Sequence, residues 1–155
     1  MDTQFSNLYL ENQLCFPLYA ASRLTTKLYA PYLKELEITY PQYLVLLVLW
    51  QYKEQTVKQI GEKLLLESNT LTPLLKRLEK KEIIKRKRSK KDERTVIIEL
   101  AAKGEGLKEK ASTIPERILN SFVDESIEHS EVLAFQKTLF KLMGILSKKD
   151  VSETC

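Results

Sequence analysis

The sequence predicts a mainly α-helical fold with a small β-hairpin wing, a winged helix-turn-helix flanked by N- and C-terminal dimerisation helices. Three observations carry this. From Thr56 to Leu100 a short helix, a turn, a Thr-rich basic helix and a basic hairpin follow one another without interruption. That order of parts offers DNA a helix for the major groove and a cationic loop for the backbone or minor groove. The positive charge is local: Lys76 to Arg94 holds eleven Lys or Arg against four acids, a charge of +7 in a chain whose total is +4. The rest of the chain is therefore net negative, so the field that attracts phosphate is confined to one segment. Finally, apolar residues recur at helical spacing at both ends of the chain.

The 155 residues, 43% of them hydrophobic, suffice for one core, and no Pro-, Gly- or Ser-rich linker divides them. A single domain over 1–155 is expected, with 1–36 and 105–150 as dimerisation helices and 37–100 as the winged core. The longest apolar run, Tyr43 to Trp50, is too short to cross a bilayer, and Met1 to Leu10 lacks the regions of a signal peptide. A cytoplasmic protein without membrane contact is expected. Cys15 and Cys155 lie near opposite ends and make no disulfide framework, so both are expected as thiols.

Between Leu8 and Leu36 the residues Leu10, Leu14, Leu18, Ala21, Leu24, Leu28 and Tyr32 form the stripe of an amphipathic helix. Pro17 and Pro31 should break or bend it. Thr39, Tyr40 and Pro41 read as an N-cap with proline in the first turn, opening a helix through Trp50. Its run YLVLLVLW has no polar face and belongs in the core, with Trp50 as an anchor. Thr56 caps a helix from Val57 to about Leu66, and Ser68 or Asn69 caps the next, Thr70 to Lys81.

In that helix Leu71, Leu74, Leu75 and Leu78 are spaced to pack inward, leaving Thr70, Thr72, Lys76 and Arg77 for base edges and phosphates. Glu82 follows where a helix-ending glycine is expected, so the corner shows no obvious left-handed cap. Ile83 to Arg88 and Thr95 to Leu100 read as strands joined by Ser89 to Arg94, the second rich in β-branched residues. Beyond Gly104, Leu107 to Phe122 and Glu131 to Leu146 show helical periodicity, with Pro115 bending the first. The terminal stripes would stay exposed in a monomer, which implies a two-fold homodimer with its reading helices about one DNA turn apart.

These elements resemble the MarR family of bacterial winged-helix repressors across nearly the whole chain. The segment TLTPLLKRLEKKEIIKRKRSKKDERTVIIEL, Thr70 to Leu100, is similar to that family's reading helix and wing, including the D-x-R signature at Asp92 and Arg94. The segments LENQLCFPLYAASR (Leu10 to Arg23) and ITYPQYLVLLVLW (Ile38 to Trp50) narrow the resemblance to organic hydroperoxide resistance regulators, which sense peroxide through one cysteine in the first helix. The resemblance implies that Cys15 is the sensing thiol, with Tyr29 and Tyr40 supplying hydroxyls near its sulfur. It implies that Arg94 enters the minor groove while Asp92 holds the wing. Ser68, Asn69, Thr70, Thr72, Lys76 and Arg77 would face DNA from the reading helix, and Arg86 and Arg88 from the wing. Pro17, Asn69 and Glu82 depart from the family pattern.

A peroxide sensor needs a thiolate and an open approach. No Lys or Arg lies nearer in sequence to Cys15 than Arg23. Phenol hydroxyls and a helix amino terminus can stabilise the anion instead, and Pro17 in a first turn would put Cys15 just outside such an end. Cys15 and Tyr29 are fourteen residues apart, about 21 Å of rise on a straight helix, so contact between them requires the other subunit and first helices crossing antiparallel. Phe16, Leu18 and Tyr19 would favour organic peroxides. The expected chemistry runs from thiolate to sulfenic acid and then to a mixed disulfide with a low-molecular-weight thiol, or to overoxidation.

No metal, cofactor or catalytic residue is implied. The single histidine, His129, stands apart from any ligand cluster. Cys155 is expected as an incidental terminal thiol. Other readings are a MarR-type repressor induced by a small aromatic ligand in the dimer cleft, a thiol-dependent peroxidase, and a nonspecific architectural DNA binder.

Overall fold

The computed structural model describes residues 3–90, 92, 94–123 and 126–152. Cys155 lies outside the described residues. The chain forms two compact units, Met1–Ile114 and Pro115–Cys155.

In the first unit, two 3-10 turns, Thr3–Leu8 and Leu10–Asn12, precede α1, Cys15–Glu35. The expected helix start at Leu8 is thus corrected to Cys15, and Pro17 is the reason. A proline is tolerated where the amide would have no helical partner, so it sits in the first turn and the helix begins beside it. Pro31, by contrast, does not end α1, which runs one more turn to Glu35. There Glu37 adopts a left-handed φ of 55°. Its N–H donates to Lys34 O at 3.1 Å and the Ile38 N–H to Leu33 O at 3.0 Å, a Schellman turn with Leu33 and Ile38 buried beside it.

Helix α2, Tyr40–Tyr52, starts from the expected N-cap Thr39 with Pro41 in its first turn, and the Thr39 N–H donates to Gln42 Oε1 at 3.0 Å. Val45, Leu46 and Leu49 are fully buried, as the unbroken apolar run requires. Trp50 is half-buried, and its indole N–H donates to Gly104 O at 3.1 Å. A short strand β1, Gln55–Thr56, leads into α3, Val57–Leu64. Thr56 caps α3 as expected: its Oγ1 accepts the Gln59 N–H at 3.1 Å while Gln59 Oε1 accepts the Thr56 N–H at 2.8 Å.

Helix α4, Ser68–Lys80, is longer at its start than the expected cap implies. Its N-cap is Glu67, with no side-chain cap hydrogen bond, whereas Ser68 and Asn69 already lie inside the first turn. At the other end Glu82 itself supplies the left-handed residue, with φ 59°. Its N–H donates to Glu79 O at 2.8 Å and the Ile83 N–H to Leu78 O at 3.1 Å, and Leu78 and Ile83 are both buried. A Schellman turn therefore stands where no cap is expected, held by backbone bonds that do not depend on side-chain identity.

Strands β2, Ile84–Arg88, and β3, Val96–Leu100, form the expected hairpin, in register from Ile84↔Leu100 to Arg88↔Val96. The sheet has a third member that the sequence does not announce: β1 pairs antiparallel with β3, giving the order β1-β3-β2. Helix α5, Ala102–Ala111, then crosses close to the hairpin. A Cβ on Gly104 would stand 2.2 Å from Ile83 O, so only glycine permits this approach.

The expected helix over Leu107 to Phe122 is two helices, because α5 stops at Ala111 and α6, Ile114–Asn120, opens with Pro115 in its first turn. Proline restarts a helix more readily than it continues one. In the second unit α7 spans His129–Ser152, longer than the Glu131 to Leu146 expected, and leaves Leu133, Phe140, Ile145 and Leu146 exposed. Among the described residues no helix is long and apolar enough to cross a membrane.

Candidate nucleic-acid interface and thiol site

The reading helix is set by four leucines. Leu71, Leu74, Leu75 and Leu78 of α4 are buried at the spacing of one helical face, which turns the rest of α4 outward. Ser68, Asn69, Thr70, Lys76 and Arg77 are exposed and Thr72 is half-buried. Thr70 Oγ1 donates to Asn69 Oδ1 at 3.2 Å. Only backbone closes the first turn, where the Thr70 and Leu71 N–H groups bond Glu67 O at 3.1 and 3.0 Å. The open end of α4 thus carries short polar side chains and the positive helix pole, which suits a phosphate.

The wing tip is organised by Asp92. Its Oδ1 accepts the Arg94 N–H at 3.0 Å and its Oδ2 accepts the Thr95 hydroxyl at 2.8 Å. The Thr95 N–H donates to Asp92 O and the Ser89 N–H to Thr95 O, both at 2.9 Å. One carboxylate fixes the turn while the Arg94 side chain remains exposed. Arg88 is exposed as well, but Arg86 is not presented like the others. Its side chain is only 23% accessible, and Nη1 lies 3.4 Å from Glu79 Oε2 on α4. Its Nε is buried without a hydrogen-bond partner among the described residues. The strand period accounts for this: Arg86 falls on the same face as buried Ile84. Period-two reading of IKRKR would have found the inward arginine.

On the opposite face, Lys87 Nζ lies 2.6 Å from Glu99 Oε2 and 3.2 Å from Glu54 Oε2. The hydrogen bonds to Glu99 and then Glu54 hold its ammonium charged and push its pKa up. No pattern in the sequence singles out Lys87 or these acids.

Cys15 is a free, exposed thiol and the first residue of α1, at the helix pole that favours an anion. Tyr29 on α1 and Tyr40 at the start of α2 are brought together, with ring centroids 4.8 Å apart. Tyr43 joins them at 5.9 Å from Tyr29 and 6.4 Å from Tyr40. Burial, with the neighbouring phenols Tyr40 and Tyr43 adding to it, pushes Tyr29 up to about 12. Desolvation raises Tyr40 and Tyr43 too. These phenols therefore stay protonated and can donate hydrogen bonds at any physiological pH.

Because α1 is continuous from Cys15 to Glu35, this cluster is not brought to Cys15 of its own chain. Tyr19 lies one turn beyond Cys15, and its hydroxyl accepts from Arg23 Nη1 at 2.8 Å. The apolar run marks Tyr43 only as core, and its spacing of three from Tyr40 is the signal that could have placed it in the cluster. Among the described residues no group of three His, Cys, Asp or Glu is placed to hold a metal ion.

A family model described as transcriptional regulator SarA/Rot matches residues 27–111. The organic hydroperoxide resistance transcriptional regulator of Bacillus subtilis is 57% identical over 150 residues, spanning 97% of this chain and all of that protein. AbfR of Staphylococcus epidermidis has been solved reduced and bound to DNA, at 39% identity and a TM-score of 0.74, covering 94% of this chain and 99% of that one. The overoxidized AbfR bound to DNA matches with a TM-score of 0.69 at the same identity, covering 91% and 99%.

Proposed function

The chain belongs to the MarR-type organic hydroperoxide resistance regulators, and from that premise we propose how its own residues perform redox-controlled repression. It is a transcriptional regulator, not an enzyme: a redox-sensing, DNA-binding repressor. It acts in the cytoplasm as a homodimer on double-stranded, pseudo-palindromic operator DNA. The two-fold axis places one α4 in each half-site, and the exposed apolar residues of α1 and α7 are the surfaces that pairing buries. From α4, Ser68, Asn69, Thr70, Thr72, Lys76 and Arg77 meet bases and phosphates. Arg88 meets the backbone, and Arg94, aimed by Asp92, enters the minor groove.

The exposed position of Cys15 at the opening of α1 carries the sensing role. Its thiolate attacks the distal oxygen of an organic hydroperoxide, the O–O bond breaks, and the alkoxide leaves to take up a proton. The product is a sulfenic acid, which condenses with a low-molecular-weight thiol to a mixed disulfide and water, or is oxidised further by more peroxide. Tyr29 and Tyr40 of the partner subunit donate to the sulfur anion, since the length of α1 keeps them from Cys15 of their own chain. Polar or bulky atoms added at that pairing surface change the spacing of the two reading helices and release DNA.

The test is an operator gel shift with and without an alkyl hydroperoxide. Wild type is expected to lose binding on oxidation, and Cys15→Ser to bind and stay bound. Operator loss in unoxidised Cys15→Ser would make Cys15 structural. Release of Cys15→Ser by peroxide would remove it as the sensor.

A further inference from the structure

Lys87 lies mid-strand in the wing, within the most basic segment of the chain, where an electrostatic reading counts it among the phosphate-binding cations. Its surroundings differ from that reading. Its ammonium is shared by Glu99 Oε2 at 2.6 Å and Glu54 Oε2 at 3.2 Å. With the sheet order β1-β3-β2, this reach crosses the whole sheet. Lys87 is on β2, Glu99 is two residues along β3 from the register partner Ile97, and Glu54 immediately precedes β1. Only two residue pairs, Gln55↔Ile98 and Thr56↔Ile97, join β1 to the hairpin. The same Thr56 caps α3, which leads through Leu65–Glu67 into α4.

We infer that Lys87 is a positioning residue that clamps the wing to the segment carrying the reading helix, and that it makes no phosphate contact. An ammonium has three donors, and two are used by carboxylates here. Swinging it to DNA would leave Glu54 and Glu99 unpaired beside a polyanion. The raised pKa of Lys87, caused by those same two acceptors, agrees with a charge held in place. On the other face of the strand Arg86 reaches Glu79 of α4, so consecutive residues of β2 brace the hairpin from both sides. The wing's aim relative to α4 is then fixed by charge pairs within the protein, and only the tip is left to read DNA.

This inference rests on the DNA-binding reading above and makes a prediction of opposite sign to simple electrostatics. Operator affinity is measured by fluorescence anisotropy over a salt series for wild type, Glu54→Gln, Lys87→Met, Lys87→Arg and the exposed tip variant Lys90→Met. Glu54→Gln removes a negative charge, which by field alone would tighten binding. The clamp predicts about fivefold weaker binding instead, the scale set by loss of one exposed ion pair in each subunit. Lys87→Met is expected to weaken binding similarly while keeping the wild-type salt slope, and Lys87→Arg to restore most of the affinity.

Lys90→Met is expected to flatten the slope by about 0.9 for each phosphate that is no longer neutralised. Unchanged or tighter binding by Glu54→Gln would overturn the clamp. So would a slope for Lys87→Met as flat as that of Lys90→Met. Wild-type binding that does not distinguish operator from random duplex would instead remove the functional reading itself.

Discussion

Arg94→Ala isolates the wing's contribution, because Asp92 holds the tip through the Arg94 N–H and the Thr95 hydroxyl, neither of which the substitution touches. The loop should keep its shape and lose one cation per subunit. Each cation–phosphate contact contributes about 0.9 to the slope of log affinity against log salt, so a dimer lacking both should be shallower by about 1.8. Between 50 and 200 mM salt, wild type should therefore lose about tenfold more affinity than the variant does. The assay is anisotropy of a labelled operator duplex at four or more salt concentrations, with the reduced protein throughout. Parallel lines for the two proteins would refute the assignment of Arg94 to DNA, whatever the change in absolute affinity. A further check lies in Asp92→Ala, which leaves the cation but frees the tip, and should weaken binding without flattening the line.

Glu82→Gly should stabilise the fold by about 0.5–1 kcal/mol, since a left-handed non-glycine residue costs about 1–2 kcal/mol and glycine's extra chain entropy returns part of it. The melting temperature should rise by roughly 1–4 °C, and no increase over Glu82→Ala would contradict the φ of 59°. Gly104→Ala should destabilise by about 2 kcal/mol or more, because its Cβ would meet Ile83 O at 2.2 Å. Trp50 is the single tryptophan and bonds Gly104 O, so its emission should shift in the same variant; an unchanged spectrum and melt would disprove the close approach.

Alkali should loosen the tyrosine cluster. An unfolded tyrosine ionises from about pH 10, whereas Tyr29 in the fold holds its proton to about 12. Its stability contribution is complete below pH 10 and is lost as pH climbs toward 12. Two units correspond to about 2.7 kcal/mol, reduced by solvent screening at this half-buried site to about 1 kcal/mol. Tyr29→Phe should flatten the decline in urea stability across that window, and equal slopes for both proteins would count against a desolvated phenol.

What the sequence disclosed and what it withheld divide by the range of the interactions. The YLVLLVLW run, the Thr56 cap and the four leucines of α4 are local patterns, and each stands where it was expected. Strand β1 was illegible because two residues carry no period, and its partners Ile97 and Ile98 lie some forty positions away. Glu37 and Glu82 were illegible for another reason: the backbone bonds of a Schellman turn tolerate a strained residue when buried neighbours hold both flanks, so the glycine signal was missing. The inward turn of Arg86 is legible in the strand period and not in the charge run, since the alternation that buries Ile84 also turns Arg86 toward Glu79 of α4.

The sensing site shows the same division in a form that bears on mechanism. Helical arithmetic alone separated Cys15 from Tyr29, and that separation holds only if Pro17 and Pro31 leave the intervening helix intact. Pro17 does so by lying in the first turn, and Pro31 by lying near the last, so the segment between them is one unbroken helical rod. A rod with the thiol at one end and the phenol cluster at the other cannot close on itself. In the proposed dimer, two such helices laid antiparallel would bring each thiol beside the partner's phenols, so that pairing of subunits would complete the thiol site begun by the helix pole. Dilution below the dimer constant should therefore slow Cys15 alkylation at neutral pH, and a rate independent of protein concentration across dissociation would rule out that arrangement.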